Sequence, residues 1–252
     1  MSLKSHRMRR IFGPDGRTLI VAMDHAGFMG PVPGLIDPVA TVRSVVAGGV
    51  DAVMTTLGTA HRIIGALDGR GLVLSVDLHA PDPVAVVENA VALGADSLKT
   101  LAYPLGDEAT GLRNMGRYGV LCEKWGLPFQ AEMIPFSFGA IDKHTPENIA
   151  TAARIGAELG ADYVKVQYTG DAESFRQVTE GAGVPVIILG GAKSEKPIAT
   201  QVAEAIRAGG AGIAFGRNIW STSDPEGAAR SLVEAIHGGA GRVSRQPQAV
   251  RA

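Results

Sequence analysis

Apolar and β-branched residues recur along the chain in eight short runs, each of a length typical of one buried β-strand. The predicted strands span residues 19–23, 52–55, 72–78, 97–102, 129–133, 163–166, 186–189 and 212–215. Between the runs, apolar residues fall at helical spacing, so strands and helices alternate along the chain. This alternation predicts an α/β protein with a parallel sheet, because parallel strands need a crossover connection that is usually a helix.

Recurring motifs mark the ends of the predicted helices. A capping residue followed by proline opens several of them, in Asp37-Pro38, Asp82-Pro83, Thr145-Pro146 and Asp224-Pro225. Glycine, which suits a left-handed helix terminus, precedes the even-numbered strands in Gly49-Val50-Asp51, Gly94-Ala95-Asp96, Gly160-Ala161-Asp162 and Gly210-Ala211-Gly212. Four repeats of strand, helix, strand, helix predict a single closed (β/α)8 TIM barrel. A doubly wound open sheet is the alternative, but no dinucleotide fingerprint follows the first strand.

Composition favours one domain over residues 1–252, with frayed basic ends at about 1–8 and 240–252. The formal net charge of -1 offers no electrostatic case for a nucleic-acid partner. The single cysteine, Cys122, cannot form an internal disulfide, which fits a reducing cytoplasm. No apolar run is long enough to span a bilayer. We therefore expect a cytoplasmic protein without a membrane partner.

A lysine, Lys165, lies in a short β-like run of apolar and aromatic residues. Alternation puts Tyr163, Lys165 and Gln167 on one face of that strand. If this face lines a barrel near its C-terminal rim, desolvation lowers the pKa of the lysine and leaves neutral amine to attack a carbonyl. This predicts Schiff-base chemistry, and a solvated lysine on an exposed strand is the alternative. Lys99 also lies late in a β-run, so it is either a second candidate for the imine or a cation that lowers the pKa of Lys165.

Further polar residues collect where the predicted strands end, which is where barrel enzymes assemble their active sites. The first strand ends in Asp24-His25, and the fifth carries Glu132. Gly190-Gly191-Ala192-Lys193 follows the seventh strand and Gly216-Arg217 follows the eighth. Backbone N–H groups and cationic side chains there can hold an anion, and barrels commonly bind phosphate between these two loops. The alternative is that the glycines only make tight turns.

A metal site is a weaker hypothesis. Residue types that bind metals occur at Asp24, His25, His61, Asp77 and His79. No two of these histidines have the spacing that brings imidazoles together. We expect no metal and no other cofactor.

Motifs along nearly the whole chain resemble those of the archaeal-type class I fructose-bisphosphate aldolases. They are Arg9-Arg10-Ile11-Phe12, Leu19-Ile20-Val21-Ala22-Met23-Asp24-His25, Gly30-Pro31, Gly34-Leu35, Ala161-Asp162-Tyr163-Val164-Lys165, Leu189-Gly190-Gly191 and Gly216-Arg217-Asn218-Ile219-Trp220. The chain is also similar to the bacterial thiolase that processes phosphorylated autoinducer-2. Both belong to a wider group of Schiff-base barrels that includes deoxyribose-phosphate aldolase. The resemblance implies a (β/α)8 barrel, an imine-forming Lys165, an acidic partner at Asp24, phosphate held by the last two loops, and a homo-oligomer of five or ten subunits.

The fifth strand departs from the family pattern. These aldolases usually carry Tyr-Pro-Arg-Gly after an aromatic residue there, and the tyrosine transfers protons. If Pro135 aligns with the family proline, Ile134 replaces the tyrosine and Glu132 replaces the aromatic residue. Glu132 either takes over proton transfer, if burial raises its pKa towards neutrality, or pairs with Lys165 or Lys99 and only positions it.

The prediction is a class I aldolase that acts on a phosphorylated ketose or hydroxyketone through an imine on Lys165. A base, Asp24 or Glu132, removes the proton from the hydroxyl next to the breaking C–C bond. Lys99 and His25 polarise hydroxyls or stabilise charge. The alternatives are thiolase-like acyl transfer to coenzyme A, a transaldolase-like condensation, and a catalytically silent barrel that binds a phosphorylated ligand.

Overall fold

Eight parallel strands close into a barrel in the computed structural model, which describes residues 2–106, 109–190 and 197–238. The strands pair in sequence order, and the last pairs with the first. They are β1 (Thr18–Ala22), β2 (Ala52–Thr55), β3 (Gly71–Ser75), β4 (Ser97–Ala102), β5 (Phe129–Met133), β6 (Tyr163–Val166), β7 (Val186–Leu189) and β8 (Gly212–Phe215). The predicted TIM barrel is confirmed, and the open-sheet alternative is wrong.

Helices surround the barrel. They are α1 (Leu3–Ile11), α2 (Ala26–Met29), α3 (Pro38–Ala47), α4 (Leu57–Ile63), α5 (Pro83–Leu93), α6 (Ala109–Trp125), α7 (Pro146–Glu158), α8 (Ala172–Ala182), α9 (Ile198–Arg207), α10 (Arg217–Trp220) and α11 (Pro225–His237). Two short 3-10 helices span Ile64–Ala66 and Ile141–Lys143. Among these elements, no helix combines the length and the apolar character that a membrane crossing requires.

Six strands have the predicted bounds, and two differ. β1 begins and ends one residue earlier than predicted, and β3 ends at Ser75 instead of residue 78. The apolar run after Ser75 does not continue as strand because the chain turns at Asp77, whose carboxylate accepts a hydrogen bond from the His79 N–H at 2.9 Å. This turn places Asp77 at the barrel mouth.

The predicted helix boundaries also hold. The side chains of Asp37, Asp82, Thr145 and Asp224 cap the helices that begin at the prolines after them. Gly94, with φ 83°, ends α5 in the left-handed conformation as expected. The expectation fails in the fourth repeat, where the left-handed residue is Gly209 and not Gly210.

Apolar side chains form two cores, one on each side of the sheet. The larger lies between the strands and the helices. The smaller fills the lower barrel interior and includes Ile20, Met54, Val73, Tyr163 and Ile187. Since this inner core occupies only the lower part of the barrel, polar side chains can occupy the upper part.

Three aspartates of the repeated Gly-x-Asp motif tie neighbouring strands together at the N-terminal end of the barrel. Asp51, Asp96 and Asp162 each accept a hydrogen bond from the backbone N–H of a residue in the preceding strand. Those donors are Leu19, Leu72 and Phe129, at 2.8 Å, 3.0 Å and 2.8 Å respectively. The motif therefore stabilises the barrel.

The fourth copy of the motif has Gly212 in place of the aspartate. A Cβ atom at Gly212 would lie 2.0 Å from the carbonyl oxygen of Thr18, its partner residue on β1. The backbones of β8 and β1 approach too closely for any side chain at this position. Glycine is therefore required where the barrel closes.

The N-terminal segment is helical, so the expectation of a frayed end over residues 1–8 is wrong from Leu3 onwards. Lys4 pairs with Asp162 at 2.9 Å, and Arg10 pairs with Asp96 at 2.7 Å. Ile11 and Phe12 enter the inner core, where the Phe12 ring meets Tyr163 edge-on at 5.3 Å. These contacts order α1 and cover the lower end of the barrel. The predicted C-terminal frayed end, 240–252, lies outside the described residues.

His237, the last residue of α11, bridges two carboxylates at the same end of the barrel. Its Nδ1 lies 2.8 Å from Asp15 Oδ2, and its Nε2 lies 3.0 Å from Asp51 Oδ2. Burial disfavours the charged imidazole, but the hydrogen bonds and charges of Asp51 and Asp15 outweigh burial and raise the pKa of His237. The bridge therefore favours the protonated imidazole.

We predict that His237→Gln destabilises the protein by about 1 kcal/mol below pH 6.5 and by less at pH 9. The folded-state pKa is raised, so the stabilisation is complete below the unfolded-state pKa and is lost as pH rises through the folded-state value. Urea unfolding at pH 5.5 and pH 9 measures the difference. His6→Gln, at an exposed histidine of α1, is the control. Equal losses at both pH values for His237→Gln would contradict the charged bridge.

Candidate active site

A cavity of about 950 Å³ opens at the C-terminal ends of the strands. Residues from all eight strands or the loops after them line it, including Asp24, Thr56, Ser75, Lys99, Glu132, Lys165, Gly190 and Gly216. The polar side chains that the sequence predicts at strand ends therefore share one cavity. This is the end at which (β/α)8 barrels bind their substrates.

Lys165 points into the barrel, as the alternation on β6 predicts. Tyr163 belongs to the inner core, and Lys165, two residues later, lines the cavity above it. The lysine is only 6% exposed. The alternative of a solvated surface lysine is wrong.

Glu132 joins the two buried lysines. On β5 it is the register partner of Lys165 on β6. Its Oε1 lies 2.8 Å from Lys165 Nζ, and its Oε2 lies 2.7 Å from Lys99 Nζ. The glutamate is 4% exposed, so these bonds are shielded from water.

The charge state of Glu132 follows from these contacts. Burial alone would raise its pKa, but the charges of Lys165 and Lys99, with their hydrogen bonds, reverse the effect and leave the pKa below its ordinary value. The expectation of a pKa raised towards neutrality is therefore wrong for the free site. The sequence left two roles open for Glu132, proton transfer or pairing with a lysine. The structure shows Glu132 paired with both Lys165 and Lys99.

Lys99 is the more heavily paired of the two lysines. Besides Glu132, its Nζ lies 3.5 Å from Asp24 Oδ2 and 3.5 Å from Ser75 Oγ. Burial disfavours its charge, yet the two carboxylates outweigh burial and raise the pKa of Lys99 above its ordinary value. Lys99 is thus held as an ammonium ion, which is a poor nucleophile.

Asp24 completes the charged cluster from the end of β1. Its Oδ2 accepts a hydrogen bond from Ser75 Oγ at 2.7 Å. Burial opposes ionisation, but the charges of Lys99 and Lys165 and the Ser75 hydrogen bond lower the pKa of Asp24 to about 2. Asp24, Glu132, Lys99 and Lys165 therefore form a buried cluster, which we call the charge cluster.

His25 lies beside the charge cluster and is not bonded to it. Its Nδ1 is 3.6 Å from Asp24 Oδ1, too far for a hydrogen bond. This buried Nδ1 has no hydrogen-bond partner in the part of the chain that the structure describes. Burial, only partly opposed by Asp24, lowers the pKa of His25 and favours the neutral imidazole. His25 can therefore exchange a hydrogen bond with a molecule in the cavity.

Three of the five residues predicted to bind an anion lie in the part of the chain that the structure describes. Gly190, Gly216 and Arg217 line the same cavity as Lys165. A Cβ atom at Gly216 would lie 2.5 Å from His25 Cε1 and 2.6 Å from the Ala22 carbonyl oxygen, so only glycine fits there. Gly191 and Lys193 lie outside the described residues.

Sequence reasoning missed three polar residues of the cavity, Thr56, Ser75 and Tyr103. Ser75 holds Asp24, and Tyr103 brings a phenol to the cavity from the loop after β4. Ser75 could have been found as the one hydroxyl on the inward face of an apolar run, but Tyr103 has no such signal. Ile134, which the resemblance would align with the family tyrosine, is fully buried.

The metal-ligand types do not converge. Of the five residues considered from sequence, Asp24, His25 and Asp77 line the cavity, but His61 and His79 do not. Within residues 2–106, 109–190 and 197–238, no group of three or more His, Cys, Asp or Glu side chains is arranged to hold a metal ion.

Comparisons with known proteins match this arrangement to one family. The model of the DeoC/LacD family aldolase matches residues 18–222. The 2-amino-3,7-dideoxy-D-threo-hept-6-ulosonate synthase 1 of Archaeoglobus fulgidus is 38% identical over 247 residues, which cover 93% of this chain and 91% of that protein. The class 1 fructose-bisphosphate aldolase of Thermoproteus tenax is 35% identical over 259 residues, covering 95% and 97%.

A solved structure extends the similarity to three dimensions. It is an archaeal fructose-1,6-bisphosphate aldolase with its catalytic lysine covalently bound to the carbinolamine intermediate of the substrate. It is 31% identical to this chain, with a TM-score of 0.80, and the alignment covers 93% of this chain and 100% of that one.

We predict that Glu132→Gln lowers the free energy of unfolding by about 3 kcal/mol, because it leaves two buried ammonium ions with a single carboxylate. Urea unfolding at pH 7 measures the loss. The matched control is Glu158→Gln, which removes an exposed carboxylate paired with Arg154 and should cost less than about 0.5 kcal/mol. Similar losses for the two variants would show that the charge cluster does not depend on Glu132.

Proposed function

Because the chain belongs to the DeoC/LacD aldolase family and is a class I, Schiff-base aldolase, we propose that it cleaves or forms a C–C bond in a phosphorylated ketose or hydroxyketone through an imine on Lys165. The observation that carries the assignment of the lysine is a difference in pairing: Lys165 Nζ contacts Glu132 Oε1 at 2.8 Å, whereas Lys99 Nζ lies between Glu132 and Asp24. An acceptor for the lysine proton is thus already in place.

Lys165 is the better nucleophile of the two lysines on this geometry. Lys99 is held protonated between Glu132 and Asp24, whereas Lys165 has a hydrogen bond to Glu132 alone among the contacts given above. Transfer of the Lys165 proton to Glu132 produces a neutral amine next to the substrate. Lys99 remains charged and stabilises negative charge that develops on substrate oxygens.

The reaction begins when the Lys165 amine adds to the ketone carbon and forms a carbinolamine. Glu132, now protonated, gives its proton to the carbinolamine oxygen, so that water leaves and an iminium ion remains. Glu132 becomes a carboxylate again and takes the proton from the hydroxyl next to the breaking C–C bond. The aldehyde departs, and the bond's electron pair moves to the iminium nitrogen and gives an enamine. Protonation of the enamine carbon and hydrolysis by water release the ketone and restore Lys165.

Asp24 has a different role in this proposal. Glu132 contacts the Lys165 amine directly, whereas Asp24 is bonded to the Ser75 hydroxyl and lies beside Lys99, so Glu132 carries the protons and Asp24 orients the substrate hydroxyl. Ser75 and Lys99 hold this carboxylate in place. His25, with its free Nδ1, contacts a second substrate hydroxyl.

The phosphate of the substrate lies at the loops that follow β7 and β8. Gly190 and Gly216 expose backbone there, and Arg217 supplies a positive charge in the same cavity. Gly191 and Lys193 complete this site in our proposal. Binding energy from the phosphate orients the reacting carbon at Lys165.

Two broader proposals accompany the reaction. The enzyme works as a homo-oligomer of five or ten subunits, in keeping with exposed apolar residues such as Ile36 and Val120. It works in the cytoplasm, in keeping with its single, buried and unpaired Cys122.

The comparisons support the aldolase and give no support to the acyl-transfer or silent-barrel alternatives.

Borohydride trapping tests the imine and the phosphate site together. After incubation with dihydroxyacetone phosphate, reduction and digestion, mass spectrometry should find the adduct on Lys165, and Lys165→Arg should give none. Dihydroxyacetone, which lacks the phosphate, should need a concentration about tenfold higher or more. Arg217→Gln should reduce the difference between the concentrations needed of the two ketones. Arg230→Gln, which changes an exposed arginine of α11, is the control and should leave that difference unchanged. An adduct on Lys99 would overturn the residue assignment, and no adduct with any phosphorylated ketone would overturn the mechanism.

Because Glu132 and Asp24 have separate roles in this proposal, their substitution should affect adduct formation and C–C cleavage differently. In Glu132→Gln, the rate of adduct formation should fall about 100-fold, because the proton carrier of imine formation is gone. In Asp24→Asn, the adduct should form at nearly the wild-type rate while C–C cleavage falls about 100-fold. Rapid-quench trapping and a coupled cleavage assay measure the two rates, and circular dichroism verifies that both variants are folded. Equal loss of the adduct in both variants would contradict this division.

A further inference from the structure

We propose that the aldehyde partner of this reaction carries no phosphate and binds through an apolar group, an inference that rests on the proposed function above. The group would lie against two aromatic side chains that line the cavity after β4 and β5, Tyr103 and Phe138, here called the apolar rim. The substrate would then carry a single phosphate, on the ketone half.

Barrel order separates the two halves of the cavity. Lys165 stands on β6, and the proposed phosphate site follows β7 and β8. The strands opposite to β7 and β8 in the closed barrel are β3 and β4. A substrate anchored by its phosphate and joined to Lys165 through its ketone therefore extends its remaining carbons towards the loops after β3 and β4.

The charges in that opposite half repel a second phosphate. Asp77, after β3, is exposed to the cavity, and its carboxylate is held by the N–H of His79. Of the described residues that line the cavity, three are lysine or arginine: Lys99, Lys165 and Arg217. Lys99 is engaged by two carboxylates, Lys165 forms the imine, and Arg217 belongs to the ketone phosphate. An aldehyde phosphate would thus meet a carboxylate with no free cation among these residues.

The apolar rim supplies the attraction. Phe138 is 52% exposed, although it lies beside a concave site. Tyr103 supports Phe138 edge-on, with ring centroids 6.2 Å apart, so the loops after β4 and β5 present one aromatic surface. Binding of an apolar ligand over exposed aromatic surface at a cavity is favourable, because it removes apolar surface from water. The rim lines the same cavity as Lys165, on the side away from the proposed phosphate site, so the aldehyde substituent is its occupant in this proposal.

Bond formation from dihydroxyacetone phosphate tests the inference. The acceptors are D-glyceraldehyde 3-phosphate, D-glyceraldehyde and butanal, and kcat/KM is measured for each. The wild type should prefer butanal to the phosphorylated aldehyde by about tenfold or more. Phe138→Arg adds a cation to the rim and should shift the ratio about tenfold towards the phosphorylated aldehyde. Ile141→Arg is the matched control, because Ile141 is 70% exposed in the same loop and does not line the cavity.

The trapping experiment separates the possible failures. If the wild type forms the Lys165 adduct but prefers D-glyceraldehyde 3-phosphate, this inference is overturned and the proposed function stands. If Phe138→Arg behaves like Ile141→Arg, the apolar rim is not the aldehyde site, and the inference is overturned as well. If no adduct forms with a phosphorylated ketone, the proposed function fails and this inference fails with it.

Discussion

The carboxylate of Glu132, held between two ammonium ions inside the barrel, is the contact on which the upper half of this structure depends. Each lysine would be costly to bury alone, and the shared carboxylate makes both buried charges tolerable. Asp24 balances the second positive charge from across the barrel, so the four groups sum to zero. A neutral but highly polar cluster is a suitable environment for imine chemistry, because it can pass a proton without a change in its total charge.

Stability and chemistry occupy opposite ends of the barrel. At the lower end, Asp51, Asp96 and Asp162 tie strands together, and helix α1 covers the opening with its own cations. The inner core fills the space between that end and the charge cluster. Because the lower half is closed by hydrogen bonds and apolar packing, the upper half can keep a cavity and groups such as His25 Nδ1, which has no hydrogen-bond partner among the described residues.

The same arrangement bears on the departure of the fifth strand from the family pattern that the resemblance implies. Ile134 is buried and brings no polar group to the cavity, while Glu132 contacts Lys165 directly. In the mechanism that we propose, this carboxylate carries the proton that the tyrosine carries in the family pattern. Asp77 and the apolar rim give the side of the cavity after β3, β4 and β5 a character different from that of the side where we propose that the phosphate binds.

The sequence alone determined the barrel, its strand order and most of the polar residues at its C-terminal end, because alternation, proline caps and glycine ends are local signals that repeat with each unit. Alternation also placed Lys165 and Glu132 on the interior. Tertiary structure decided which groups touch: that Glu132 bridges both lysines, that its pKa is lowered and not raised, and that Ser75 and Tyr103 join the site. A pKa depends on the balance between burial and charges contributed by other strands, and that balance exists only once the barrel has closed.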